Sequence, residues 1–371
     1  MIKKIFIFLT VFIIMTVNVF ALDSSDLSAE CAVLISEQTG EIIFQKNAFK
    51  KHSMASTTKI MTALLAAESG KLADELIVSK KMISVEGTSM GLLPGDFVSV
   101  NDLIYGMLLS SGNDAANATA FYLGGNVENF AAMMNAKAKE IGMKSTSFVT
   151  PSGLDDDKHF STAYDMALLG RYAVKNPIIL SACSSKKASL SFGNPPYRRT
   201  LYNHNRLLNS YEYALGIKTG FTKKSGRCLV SYAKKDEMGL IAVTLNDPND
   251  WNDHISMFNF GFNELKKNQI KPNLPASVTV VGGNVENLKI FSNQFLFYGR
   301  ETDKLTQQIL LEHFVYAPIQ KNDKIGEVKY YYEGKYIGST DIFAENNIPI
   351  KKTDSKNKGF LKKIKERLFN D

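Results

Sequence analysis

The sequence predicts an α+β fold: an antiparallel sheet flanked by helices, a helical lobe beside it, and a small all-β domain after both. Three observations predict it. Strand-like segments near the start and between residues 213 and 245 bracket a block that is mostly helical in pattern. An apolar helix pattern, Trp251 to Leu265, closes this unit. Beyond Pro272-Asn273-Leu274-Pro275, short strand patterns recur between Gly and Asn turns.

Taken in order, Ala32 to Ile35 and Glu41 to Phe44 read as strands around the turn Glu37-Gln38-Thr39-Gly40. A helix is expected to begin near Ser56, with Ile60, Met61, Leu64 and Leu65 as apolar anchors, and to end at Ser69-Gly70. From about Lys71 to Asn176 the pattern is mainly helical, clearest over Glu128 to Ile141 and Thr162 to Val174. Tyr213 to Lys218, Arg227 to Ala233 and Leu240 to Leu245 then read as strands. Past the Pro-rich break, Ser277 to Val281, Leu288 to Phe291, Phe295 to Tyr298, Gly326 to Tyr332 and Tyr336 to Ile337 are strand candidates. Two lobes meeting at a sheet leave a cleft between them, where a site is expected.

Both ends differ from the body. Met1 to Ala21 carries Lys3 and Lys4, an apolar run from Ile5 to Val17, and Val19-Phe20-Ala21 before an Asp/Ser-rich stretch. That is the pattern of a cleaved secretory signal, with an uncleaved N-terminal anchor helix as the alternative, and either is expected to place the body outside the cytoplasm. The net charge of +7 is unevenly spread: Leu22 to Ile350 holds 34 basic and 34 acidic residues. Apart from Lys3 and Lys4, the excess lies in the last 21 residues, with eight basic and three acidic side chains. A neutral body argues against a nucleic-acid groove. In the tail, Phe360, Leu361, Ile364 and Leu368 share one helical face, and Lys362, Lys363, Lys365 and Arg367 lie outside it. Such a helix is expected to lie on an anionic membrane surface, with anionic wall polymers as the alternative partner. Cys31, Cys183 and Cys228 are too few and too scattered for a disulfide framework or zinc site, and free buried thiols are expected.

Amide chemistry through a serine needs a base near the hydroxyl, a proton relay and oxyanion donors. Ser-x-x-Lys at a helix start supplies the first, because residues three apart share a face. The pattern occurs four times, at Ser56-Lys59, Ser184-Lys187, Ser231-Lys234 and Ser355-Lys358. Only Ser56 opens a long apolar helix. Ser-x-Asn occurs three times, and Ser111-Gly112-Asn113 stands out because Leu103 to Leu109 delivers it to a helix-to-loop junction. Of Lys218-Thr219-Gly220 and Lys224-Ser225-Gly226, the first ends a strand and the second sits in a hairpin turn.

Taken in this order, the set resembles the penicilloyl-serine transferase superfamily. The flanks Ala55-Ser56-Thr57-Thr58-Lys59, Gly87-Thr88-Ser89-Met90-Gly91-Leu92, Ser110-Ser111-Gly112-Asn113-Asp114 and Pro151-Ser152-Gly153-Leu154 narrow it. They are similar to those of low-molecular-mass penicillin-binding proteins that act as D-alanyl-D-alanine carboxypeptidases. The resemblance implies a β-lactamase/transpeptidase-like catalytic fold and no metal or cofactor. It implies Ser56 as nucleophile and Lys59 as base, with Ser111 relaying a proton and Asn113 orienting Lys59 and substrate. Lys218 and Thr219, followed by Gly220, would bind the terminal carboxylate, and the N–H groups of Ser56 and Phe221 the oxyanion. Peptidoglycan stem peptides are the implied substrate and β-lactams the implied inhibitors. Some relatives carry Arg within an Asn-x-Asn segment that here reads Asn203-His204-Asn205, with Arg206 after it. That leaves open whether His204 or Arg206 meets substrate.

The expected partition is a signal over 1–21, a catalytic domain over 22–267, a linker over 268–275, a small β domain over 276–350 and the tail over 351–371. Three other readings compete. A class A β-lactamase lacks support because no Glu-x-x-Leu-Asn segment occurs. A D,D-endopeptidase usually has no C-terminal domain. A non-catalytic wall-binding protein would not need the intact motif set.

Overall fold

The computed structural model describes residues 22–352. The expected signal and the amphipathic face of Phe360, Leu361, Ile364 and Leu368 lie outside the described residues.

The body is organised on a five-stranded antiparallel sheet in the order Ile42–Lys46, Cys31–Ser36, Met238–Leu245, Gly226–Lys235, Ala214–Thr222. Its inner strands are buried on both faces, so their sequences read as continuous apolar runs rather than alternating ones. The alternation reappears in what each residue touches. Val33, Ile35, Val230, Ile241 and Val243 face the helical lobe, whereas Leu34, Leu229, Leu240 and Ala242 face the closing helix Asp250–Glu264 with Met257 and Phe258. A one-residue slip in any of these strands would exchange the two sets, which pins the register.

The helical lobe is built from Lys59–Glu68, Val100–Leu108, Asn113–Gly124, Val127–Ile141, Ala163–Ala173 and Pro177–Ser184. Local chemistry sets several ends. Ser99 and Asp102 form a reciprocal cap on Val100–Leu108, and Asn126 caps Val127–Ile141, which ends on Gly142. Cys31, Cys183 and Cys228 are buried free thiols.

Two differences from the sequence reading stand out. The α-helix expected from Ser56 begins at Lys59, and Ser56 lies in the preceding 3₁₀ turn Ala55–Thr58. The lobe also carries a four-stranded sheet, Glu75–Ile77, Phe97–Ser99, Lys187–Gly193 and Pro196–Tyr202, the first two strands in a stretch read as mainly helical and the last two where no element was read. Its first hairpin strand alternates Ala188, Leu190 and Phe192 with exposed Lys187, Ser189 and Ser191, a period-two signal the sequence reading passed over, whereas Pro196–Tyr202 is mostly exposed and buries only Leu201.

The segment expected as a linker begins inside the strand Lys266–Ile270, which pairs with Phe295–Gly299. The C-terminal region is otherwise a six-stranded sheet ordered Leu305–Leu311, Lys324–Tyr332, Lys335–Ala344, Asn287–Ser292, Ser277–Val281, Phe314–Tyr316. It is tied to the body by Arg300, which pairs with Glu41 at 2.8 Å, and by Gln38, whose amide bonds Leu296 and Tyr298.

Candidate active site

Ser56 is held by what lies beneath it. The helix that follows buries Ile60, Met61, Ala63 and Leu64 completely, so the turn at its head cannot shift without disturbing the core. Lys59, also fully buried, donates to Ser56 Oγ at 2.8 Å and to the carbonyl of Ser152 at 2.7 Å. Thr62 donates to the carbonyl of Pro151 at 2.6 Å, so two residues of the helix clamp the Pro151-Ser152-Gly153 loop. His159 fastens it further: Nδ1 accepts from the Val149 N–H at 2.9 Å, which leaves the proton on Nε2, 2.8 Å from Thr58 Oγ1. Gly153 has φ 85°, and a Cβ there would overlap the Ala55 carbonyl oxygen, so a side chain is excluded where the loop crosses the turn.

The Lys59 amine is held well below the ordinary lysine range, chiefly by burial and then by the charge of Lys218; Asp114 opposes the shift. A neutral Nζ keeps one N–H for Ser152 and turns its lone pair to the Ser56 hydroxyl. That is the form a general base requires.

The second wall comes from the junction before Asn113–Gly124. Ser111 sits there at φ 58°, a left-handed conformation that a serine adopts only when its surroundings enforce it. They do. The buried Asp114 carboxylate accepts from the N–H groups of Met90, Gly91 and Leu92 and from Ser89 Oγ. Thr88 Oγ1 donates to the Ser111 carbonyl, and Asn113 N–H donates to the Thr88 carbonyl at 2.7 Å. Asn113 Nδ2 donates to the Glu86 carbonyl at 2.6 Å, leaving buried Oδ1 without a partner. No hydrogen bond joins Asn113 to Lys59 among the described residues; the carbonyl of Ser152 orients the amine instead. Asn113 Oδ1 is left free to accept from something entering the cleft.

The third wall is Ala214–Thr222, at the edge of the main sheet. Gly220 lets it approach closely: a Cβ there would lie 3.0 Å from the Ser56 backbone nitrogen. Thr219, Gly220 and Phe221 line the cleft, and Lys218 is buried behind them with Nζ 2.9 Å from the Thr219 carbonyl. Burial lowers its pKa to about 7. His204 and Arg206 both line the cleft. Asn203 and Asn205 fix that loop by bonding the N–H groups of Asn205 and Leu207. Burial, followed by the charge of Lys218, lowers the pKa of His204.

The cleft encloses about 440 Å³, with Ser56, Ser111, Asn113, Thr219, Gly220 and Phe221 all on its wall. Reasoning from sequence missed Arg227, Asp250 and Trp251 at one side of it. Arg227 pairs with Asp250 at 2.6 Å and lies 5.4 Å over the Trp251 ring, with Nε unpartnered. The competing motifs lie elsewhere. Ser184 Oγ donates to the Leu180 carbonyl at 2.7 Å. Ser231 bonds His254 while Lys234 pairs with Glu237. Lys224 pairs with Asp157, and Ser355-Lys358 lies outside the described residues.

A hydroxyl paired with a neutral buried amine, beside a strand edge and below an open cleft, can perform nucleophilic acyl transfer. Comparison with known proteins agrees with that class. Residues 18–249 match the D-alanyl-D-alanine carboxypeptidase family, and residues 263–349 match the penicillin-binding protein 5 C-terminal domain. D-alanyl-D-alanine carboxypeptidase DacF of Bacillus subtilis is 31% identical over 354 residues, covering 92% of this chain and 89% of that protein. The crystal structures of penicillin binding protein 5 from Haemophilus influenzae include a chain with a TM-score of 0.64 at 26% identity, covering 89% of this chain and 100% of that one. A D-alanyl-D-alanine endopeptidase of Pseudomonas aeruginosa is 31% identical but covers 55% of this chain and 67% of its own length. The chain belongs to the D-alanyl-D-alanine carboxypeptidase family, and its activity is that of a serine-type hydrolase removing a terminal D-Ala.

Proposed function

We propose that the hydrolysis runs through an acyl-enzyme on Ser56. The observation that carries this is the pair of contacts on the buried Lys59 amine, Ser56 Oγ at 2.8 Å and the Ser152 carbonyl at 2.7 Å. Lys59 takes the hydroxyl proton as Ser56 Oγ bonds to the carbonyl carbon of the penultimate D-Ala. The oxyanion accepts from the N–H groups of Ser56 and Phe221. The C–N bond then breaks, and the leaving amine receives its proton through Ser111. Water, activated by the same lysine, releases the acyl group. Asn113 Oδ1 accepts from the substrate backbone. Lys218 and Thr219 hold the terminal carboxylate, with Gly220 admitting the strand edge and Arg227 adding a second cation at the cleft wall.

The substrates on this reading are peptidoglycan stem pentapeptides, and β-lactams acylate Ser56 in place of the peptide. A substrate outside the cytoplasm matches the secretory signal read in residues 1–21. The basic amphipathic tail then holds the enzyme at the membrane surface; among the described residues no helix is long and apolar enough to cross it. The test is D-Ala release from a stem pentapeptide by wild type and Ser56→Ala. Loss of release in the variant supports the assignment, and persistent release rejects it.

A further inference from the structure

One corner of the C-terminal sheet exposes apolar side chains. Strand Phe314–Tyr316 forms the sheet's edge and runs parallel to Ser277–Val281, placing Phe314 beside Thr279 and Tyr316 beside Val281. Alternation along both strands sends Val278 and Val280 inward and leaves Val281, Phe314 and Tyr316 outside. The Phe314 and Tyr316 rings meet edge to face at 5.4 Å. The last described residues return to the same corner. Ile350 bridges Gly283, Asn284 N–H donates to the Pro349 carbonyl, and Lys351 N–H donates to the Gly282 carbonyl at 2.9 Å. Ala317 N–H, next to Tyr316, donates to the Val281 carbonyl. Val281, Val285, Phe314, Tyr316 and Ile350 therefore surround one turn, each between 42% and 67% exposed.

Single exposed apolar residues are ordinary, but five at one corner mark a contact surface. What they contact is indicated by where the chain goes next. Lys351 and Lys352 are exposed at this corner. The sequence continues from them for 19 residues with six basic and three acidic side chains and the apolar set Phe360, Leu361, Ile364 and Leu368. The acids flanking the five corner residues are Glu286 and the exposed Glu312, fewer than the basic side chains of the departing chain. Aromatic and aliphatic tips beside lysines suit the headgroup layer, where an apolar body is buried shallowly and cations meet anionic lipid.

We infer that this corner rests on an anionic bilayer surface, inserting Val281, Val285, Phe314, Tyr316 and Ile350 beside the point where the tail departs. The inference rests on the reading of the tail as membrane-associated and adds a second, folded contact to it. Two contacts on one body fix the orientation of the C-terminal sheet against the membrane, which a tail alone leaves free.

The test uses the chain from Leu22 to Asp371 with Tyr316→Cys carrying an environment-sensitive fluorophore; the native thiols are buried and spared. Tyr336→Cys, in the opposite hairpin, is the control. With vesicles of phosphatidylglycerol and phosphatidylcholine, the label at position 316 is expected to shift to the blue and to be quenched by headgroup-region spin-labelled lipid. The control label is expected to do neither. Phe314→Ser combined with Tyr316→Ser should weaken vesicle binding about tenfold and leave D-Ala release unchanged. Vesicle flotation without a shift at position 316 would overturn the corner and leave the tail reading intact. Absence of flotation would overturn both. A shift that grows with protein concentration without vesicles would assign the corner to a second copy, and one seen only with cell-wall fragments would assign it to wall polymer; either result overturns the inference.

Discussion

The two sides of the cleft each bury a lysine, and the two lysines differ in what holds them. Lys59 sits between two oxygens from separate segments, those of the Ser56 hydroxyl and the Ser152 carbonyl. Lys218 has the Thr219 carbonyl of its own strand and no acidic partner among the described residues. Burial lowers both, and for Lys59 the charge of Lys218 adds to it. The lesson is one of division of labour. On the proposed mechanism, a lysine that must be neutral to act is kept so chiefly by burial, with a second buried lysine helping. That second lysine has no acidic partner among the described residues, which on the proposed mechanism leaves it to an incoming carboxylate.

The largest effect should come from removing Lys59, the proposed base. Lys59→Met keeps the length of the side chain and is expected to lower kcat by on the order of 10³-fold with KM nearly unchanged. A loss below tenfold in steady-state D-Ala release would place the base elsewhere. Next in size is the receiving lysine. Lys218→Met should raise KM about 10- to 100-fold, the loss of a charge-assisted contact. It should also abolish the preference for a free C-terminal carboxylate over the amide, and an intact preference would refute the role.

The pH profile separates the two groups more finely. The acid limb of kcat/KM should belong to Lys59, which works only when neutral. The alkaline limb should fall near pH 7 in the free enzyme, as Lys218 loses its charge. Lys218→Arg, permanently charged, should remove the alkaline limb and keep the acid one; unchanged limbs would uncouple Lys218 from the profile.

A smaller effect on rate but a measurable one on stability is expected from His159, which supports the Ser56 side of the cleft. Burial lowers its pKa to about 4, and that of His254 to about 3. The unfolded chain therefore binds protons that the folded one refuses. Stability is complete above the unfolded histidine pKa of about 6.5 and is lost as pH falls toward 4. For His159 alone the loss is roughly 3 kcal/mol across that window. Unfolding of wild type and His159→Gln from pH 7 to 4 should show a shallower decline in the variant, and equal slopes would exclude the effect.

Much of the cleft's make-up was legible in the sequence because the side chains that meet there lie in short, ordered patterns. Ser56 and Lys59 are three apart, Ser111 and Asn113 two apart, and Thr219 to Phe221 consecutive, and the structure brings all three groups to one cleft. What was not legible works through the backbone or across long separations. The acceptor that orients Lys59 is the carbonyl of Ser152, which any residue could present. Arg227 is carried to the cleft wall by its strand pairing with Phe221 and is held there by Asp250, 23 positions later. The Lys187–Tyr202 hairpin is the exception, because Ala188, Leu190 and Phe192 alternate with Lys187, Ser189 and Ser191 and the strand signal was there to be read.

The most direct test is to locate the covalent bond. After brief exposure to a labelled penicillin, digestion and mass analysis should find the adduct on Ser56, with no labelling in Ser56→Ala and slowed labelling in Lys59→Met. An adduct on Ser111, Ser184 or Ser231, or labelling of Ser56→Ala at the wild-type rate, would contradict Ser56 as the nucleophile.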